Sequence, residues 1–240
     1  MYQPRTYRRW IKDDGLSSFA VVVKETDLCI RAERNLEAEA IQAIIKHRQP
    51  LEDYIASHPL FRHSLEPCTV GEDAPDIVKE MARAAGMVNV GPMAAVAGAI
   101  AEAVGKDLLA YSPEVIVENG GDIFINVSNS RLIGVYAGES PFTGKIALEI
   151  NPEQTPLGIC TSSGTVGHSL SLGATDAVIV LSHSTALADA AATAIGNKVI
   201  AAEDVDLAIE QFKSMPELSG IVIIMGDRMG VWGDVSLVPL

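Results

Sequence analysis

Asp189 and Thr193 stand four residues apart in the stretch ALADAAATAIG. On a helix this spacing puts both side chains on one face, about 5–6 Å apart at Cβ. A carboxylate and a hydroxyl so placed are hard oxygen donors that suit Mg²⁺ or Ca²⁺. The surrounding alanines would let a second backbone approach closely. The same spacing also serves a purely structural end, in which Thr193 bonds back to its own helix and Asp189 supports the helix N-terminus. Spacing alone favours the structural use over the metal site.

Two further clusters are rich in glycine and small polar residues. In VENGGDIF, Asn119-Gly120-Gly121-Asp122 lies between two apolar runs. Glycines there permit φ > 0 and let a ligand lie against the backbone, with Asn119 offering an amide; a plain hairpin turn uses the same residues. In TSSGTVGHSLSLGATD, Thr161, Ser162 and Ser163 precede Gly164, and His168 follows four residues later. Such a loop can cradle phosphates, set a hydroxyl beside a His base, or be simply a polar surface loop. It lacks the G-x-S-x-G elbow of the serine hydrolases.

The elements that must position these residues follow from periodicity. Residues 19–23 and 28–30 read as a hairpin about KETD. Asn35 is placed to cap a helix over 37–47, with a further turn or two at 51–56 before His58-Pro59. A helix is expected at 76–85. Another opens at Gly91-Pro92 and stops at Gly105. The second half reads as strands at 114–118, 122–127, 132–136, 145–150, 174–181, 220–225 and 231–238. Helices at 186–196 and 201–215 interrupt them. No linker or repeat divides this pattern, so residues 1–240 are expected to form a single compact α/β (α+β) domain, with a mixed β-sheet and packed small-residue helices.

Composition narrows the function classes. Charged residues are 20% of the 240 and hydrophobic ones 48%, which excludes wholesale disorder. A net charge of -13 argues against nucleic-acid binding, which needs excess positive charge to neutralise phosphates. An anionic ligand must therefore be met locally, by backbone N–H groups or through a metal ion. The uncharged run 84–101 is mostly alanine with Gly and Pro inside, a pattern of a buried helix rather than a spanning one. Cys29, Cys68 and Cys160 show no paired spacing, and the basic start is followed by no apolar signal region. A reducing cytoplasm and free thiols are expected.

Taken in order, SFAVVVKETDL, VGPMAAVAGAIAE, VENGGDIF and the run from TSSGTVGHSLSLGATDAVIV to ALADAAATAIGN resemble the ApbE-like superfamily, and most closely a branch found in bacteria and archaea. Its characterised members are Mg²⁺-dependent FAD:protein FMN transferases. The resemblance implies that Asp189 and Thr193 are metal ligands and that the Ala94 carbonyl completes their set. It implies that Asn119, Gly120 and Gly121 line a flavin-nucleotide site, with Thr161, Ser162 and Ser163 beside it. His168 and Asp189 take the catalytic positions. The implied ligands are Mg²⁺ and FAD or a related dinucleotide. The implied chemistry is attack by a Ser/Thr hydroxyl of an acceptor protein on FAD phosphorus, releasing AMP. Neither nucleic acid nor membrane is an expected partner, and an oligomer is compatible. Two departures stand out: Ser169-Leu170-Ser171-Leu172 replaces the transferases' I-D-P-x-T-G run, and Ala95 replaces their lysine. The expected function is therefore dinucleotide binding through Mg²⁺ with transferase or pyrophosphatase activity. The alternative is a flavin- or nucleotide-binding or interaction protein with a degenerate site.

Overall fold

Strands buried on both faces must be covered by a layer on each side, and several strands in the middle of this chain are buried that way. The computed structural model describes residues 8, 10–12, 15–166 and 172–240. Its strands are β1 (Ile11–Lys12), β2 (Ser17–Val23), β3 (Thr26–Ala32), β4 (Val115–Asn119), β5 (Asp122–Asn126) and β6 (Arg131–Gly134). Then come β7 (Ile146–Ile150), β8 (Leu157–Ser162), β9 (Ala177–Ser182), β10 (Leu218–Met225), β11 (Arg228–Gly233) and β12 (Ser236–Pro239). They form an eight-stranded sheet in the order β11-β10-β9-β8-β5-β4-β3-β2 and a four-stranded sheet, β1-β6-β7-β12. The α+β class matches expectation. The mixed sheet expected from sequence is instead two sheets, antiparallel at every described pairing.

The helices are α1 (Glu37–Ser57), α2 (Pro59–His63), α3 (Asp76–Met87), α4 (Val96–Leu108), α5 (Thr185–Gly196) and α6 (Asp204–Phe212). Period-two alternation sorts the large sheet between two cores. Val115, Val117, Phe124, Cys160, Val178, Val180, Ile221 and Ile223 join the helices. Ile116, Ile123, Ile125, Ile159, Ile179, Val222 and Ile224 face the small sheet, where Ile133, Leu148 and Ile150 meet them. The result is three layers: helices, large sheet, small sheet. Helix α5 is buried along nearly its whole length, which explains its alanines: nothing larger fits between α4 and strands β8 and β9.

Several boundaries differ from the sequence reading. Helix α1 runs on through Pro50 to Ser57, because its apolar face continues against the core past the expected break. The expected cap Asn35 accepts the Glu37 N–H at 2.8 Å. Pro92–Ala95 forms a 3-10 turn ahead of α4. Gly105 lies inside α4, where the Phe124 ring packs on it, rather than ending the helix. Strand β8 was not expected at all. The single strand expected at 231–238 is two, in different sheets, with Gly233 at φ 89 closing the first of them. Among the described residues no single helix is long and apolar enough to cross a membrane. All three cysteines are free.

Candidate functional site

Helices α4 and α5 cross at Gly98, where a Cβ would lie 2.4 Å from the Thr185 carbonyl oxygen and 2.8 Å from Asp189 Cβ. Only glycine allows this approach, and it brings each helix start within reach of the other's carboxylate. Asp189 Oδ2 accepts the Gly98 N–H at 2.8 Å. In return Glu102 Oε2, on α4, accepts the N–H groups of Thr185 and Ala186 at 2.7 and 3.3 Å. Each helix thus caps its neighbour, and the dipoles favour both charges. Asp189 supports a helix N-terminus, as its structural reading held, but that of α4 and not its own. The cap of α5 itself is Ser184, which accepts the Leu187 N–H at 3.2 Å.

The Gly-Gly segment is a two-residue hairpin turn between β4 and β5, with Asn119 opposite Asp122. Gly120 and Gly121 have φ of 68 and 109, the left-handed conformation that such a turn requires. The turn is tied inward by its flanks. Asn119 Nδ2 donates to the Ala97 carbonyl at 3.1 Å. Asp122 Oδ1 accepts the Thr161 N–H at 3.2 Å. Glu118 Oε1 accepts the Gly121 N–H at 2.8 Å. Among the described residues a Cβ on Gly121 would make only an ordinary contact, with Thr161 at 3.9 Å, so the turn is not crowded on that side.

Thr161 and Ser162 end β8 instead of opening a loop. Ser163 follows, its hydroxyl accepting the Val166 N–H at 2.9 Å and donating to the Thr175 carbonyl at 3.3 Å. His168 lies outside the described residues. Ala94 sits on the 3-10 turn Pro92–Ala95, which packs against α5. Thr193 is half-buried one helical turn beyond Asp189. Hydrogen bonds therefore join Asn119 and Asp189 to the start of α4 and Asp122 to Thr161, with Ala94 and Thr193 on elements that flank α4.

Sequence reasoning overlooked Asp122, Glu102 and Cys160. The signal for Asp122 was a charged residue heading an otherwise apolar strand, DIFIN. Burial pushes its carboxyl up to about 7, and the Glu118 charge adds to the effect. Burial, then the Asp122 charge, drives the Asp189 carboxyl well upward, while the Gly98 and Ala97 amides pull it back. The Cys160 thiol, also raised by burial and by both aspartates, donates to the Thr185 carbonyl at 3.3 Å. Among the described residues neither Asp122 nor Asp189 makes an ion pair. Two buried carboxyls in one field either hold a proton or accept a cation.

A donor set of a carboxylate, a hydroxyl and a backbone carbonyl fits a hard divalent ion. No group of three or more His, Cys, Asp or Glu side chains among the described residues is arranged to hold a metal by itself. Backbone and hydroxyl oxygens must therefore supply the rest.

Comparison with known proteins agrees with this architecture. The flavin transferase ApbE from Vibrio cholerae superposes with a TM-score of 0.62, covering 92% of this chain and 97% of that one at 13% identity. The apo flavinyl transferase ApbE of Pseudomonas stutzeri gives a TM-score of 0.57 over 90% and 93%, also at 13% identity. At that identity the likeness is one of fold, and it is the fold that the sequence resemblance implied. The UPF0280 protein of Methanocella arvoryzae is 42% identical over 212 residues, 88% of this chain and 86% of its own. The UPF0280 protein of Methanocaldococcus jannaschii is 41% identical over 221 residues, 90% of each chain. The model of the family described as AbpE bacteria matches residues 8–223. With relatives this similar over most of their length and a family match across both cores, the chain belongs to the AbpE bacteria family.

Proposed function

We propose that the junction of α4, α5, the Gly120–Gly121 turn and the end of β8 binds FAD or a related dinucleotide through Mg²⁺. One observation carries this reading: four segments far apart in sequence are joined there through the Asn119, Asp122 and Asp189 hydrogen bonds. The uncrowded side of the turn and two aspartates with no basic partner among the described residues suit an anionic ligand only if a cation joins it. Asp189, Thr193 and the Ala94 carbonyl would hold that cation. When bound, Mg²⁺ supplies neutralisation of the pyrophosphate charge.

The chain's own residues do the rest. Asn119, Gly120 and Gly121 let the flavin nucleotide lie against the backbone. Thr161, Ser162 and Ser163 offer hydroxyl and N–H groups to phosphate oxygens. His168 takes the proton from the hydroxyl as it attacks the flavin-side phosphorus of FAD, and the bond from that phosphorus to the bridging oxygen breaks, so that AMP leaves with the bridging oxygen. A Ser/Thr hydroxyl of an acceptor protein gives flavin transfer, and water gives hydrolysis. Both cores share the large sheet, which supports residues 1–240 acting as one unit. The free thiols suit a reducing cytoplasm.

The experiment is FAD titration by calorimetry with Mg²⁺ and then with EDTA, alongside AMP release. Binding unchanged by EDTA and by Asp189→Asn refutes the metal-bridged site. One observation favours a second reading, a binding protein without turnover. Asp189 already spends one oxygen on the Gly98 N–H, and Ala95 stands where the transferases carry lysine. Metal-dependent FAD binding with no AMP released selects that reading.

A further inference from the structure

The basic N-terminal stretch has no part in the site so far, yet one of its residues reaches it. Glu118 is 1% exposed, and a carboxylate so buried is costly unless a cation and hydrogen bonds meet it. Arg8, 110 residues away in sequence, supplies the cation: its Nε donates to Glu118 Oε2 at 2.6 Å. The other oxygen, Oε1, accepts the Gly121 N–H at 2.8 Å. The guanidinium is itself seated by Asp27. Nη1 donates to Asp27 Oδ1 at 3.0 Å and Nη2 to its carbonyl at 2.9 Å. Arg31 Nη2 donates to the Arg8 carbonyl. A chain of charge-assisted bonds thus runs from residue 8 to the backbone of the turn.

We propose that Arg8 is a positioning residue for the candidate ligand turn: through the buried Glu118 carboxylate it fixes the Gly121 N–H and, with it, the face of Gly120–Gly121 that a ligand would lie against. The part concerning ligand affinity rests on the reading of that face as a dinucleotide site; the clamp itself does not. Without the guanidinium, Glu118 either takes up a proton or turns outward to water. Both weaken the acceptor that holds Gly121, and the turn then samples other conformations at a cost to any ligand laid against it. Lysine restores the charge but not the fork that serves Glu118 and Asp27 together. A merely structural tie between the N-terminal segment and the sheet would behave differently. It would depend on Asp27 as much as on Glu118.

The test uses the full chain and the variants Arg8→Gln, Arg8→Lys, Glu118→Gln and Asp27→Asn. Residue-resolved amide exchange is read at Gly121, with Ile179 and Val222 as reference amides in the core of the large sheet. Calorimetry with FAD and Mg²⁺ is run in parallel. Arg8→Gln and Glu118→Gln are expected to speed Gly121 exchange about tenfold, the scale of one charge-assisted bond, with the reference amides unchanged. Arg8→Lys should fall between these and wild type, and Asp27→Asn should stay within about twofold of wild type. FAD affinity should drop in step with the Gly121 change. The proposal is overturned if Arg8→Gln leaves Gly121 exchange at the wild-type rate, or if Asp27→Asn raises it equally. It is also overturned if reference amides rise in parallel, or if Gly121 loosens while FAD affinity holds. If wild type binds no FAD but Gly121 responds as expected, the clamp stands and the dinucleotide reading falls.

Discussion

Replacing Asp122 by Asn should change the pH dependence of stability more than stability itself. The side chains are nearly isosteric, and the amide oxygen of Asn can still accept the Thr161 N–H that Asp122 Oδ1 accepts at 3.2 Å. What is lost is a charge that burial disfavours. The carboxyl titrates at about 7 in the fold, against an ordinary 3.8. Its protonated form is thus preferred by the native state, and its stability contribution is complete below pH 3.8 and lost as pH rises through about 7. The gap of about 3 pH units, at about 1.36 kcal/mol each, comes to about 4 kcal/mol. The asparagine variant carries no such term. Urea unfolding of both proteins in EDTA, from pH 4 to pH 8, reads it together with the relief of Asp189, whose carboxyl the Asp122 charge helps to push up. The variant should gain on wild type by about 1.4 kcal/mol per pH unit through this window. With m about 2.5 kcal/mol/M, that moves its midpoint about 1.5 M above wild type at pH 8. A gap that stays constant with pH, or one that widens toward acid, would refute the assignment of Asp122 as a carboxyl held up by burial.

Three further outcomes are expected. Glu102→Ala should lower the melting temperature by about 5–10 °C, since the Thr185 and Ala186 N–H groups lose their acceptor at a cost of about 2–3 kcal/mol. Glu102→Gln should recover most of this, and a shift under about 1 °C for the alanine variant would argue against reciprocal capping. Gly121→Val sets its Cβ 3.9 Å from Thr161, an ordinary contact, but strains a φ of 109. It should stay folded, lose about 1–3 kcal/mol and bind no FAD; a variant that binds normally removes the turn from the site. A thiol reagent should find three cysteines in the denatured, unreduced chain, with half-buried Cys68 reacting well before buried Cys29 and Cys160 in the native one. A single thiol on denaturation would reveal a disulfide.

What the sequence made legible was periodic. The alternation in VIVEN and DIFIN, the glycines between them and the alanine run after Ser184 each encode a local geometry that a one-dimensional pattern can carry. The misreadings share a different cause. Strand β8 escaped notice because Thr161 and Ser162 are polar and glycine-flanked, and only pairing with Val178 and Ile179 makes them strand. Gly105 reads as a stop until Phe124, nineteen residues away, is known to pack on it.

The site repeats this contrast between local and long-range signals. The Asp189–Thr193 spacing suggested two roles and could only favour the structural one, because the deciding group, the Gly98 amide, lies 91 residues upstream. Arg8 and Glu118 are farther apart still. Interactions of this range leave no periodic trace: an arginine near the start of a chain looks the same whether it is solvated or holds a buried carboxylate. In this fold the glycines carry the long-range information. Gly98 marks where one helix must touch another, and Gly121 marks where a tight turn passes Thr161 with no side chain between them. Both can be recognised in sequence as places of close approach before it is known what approaches them.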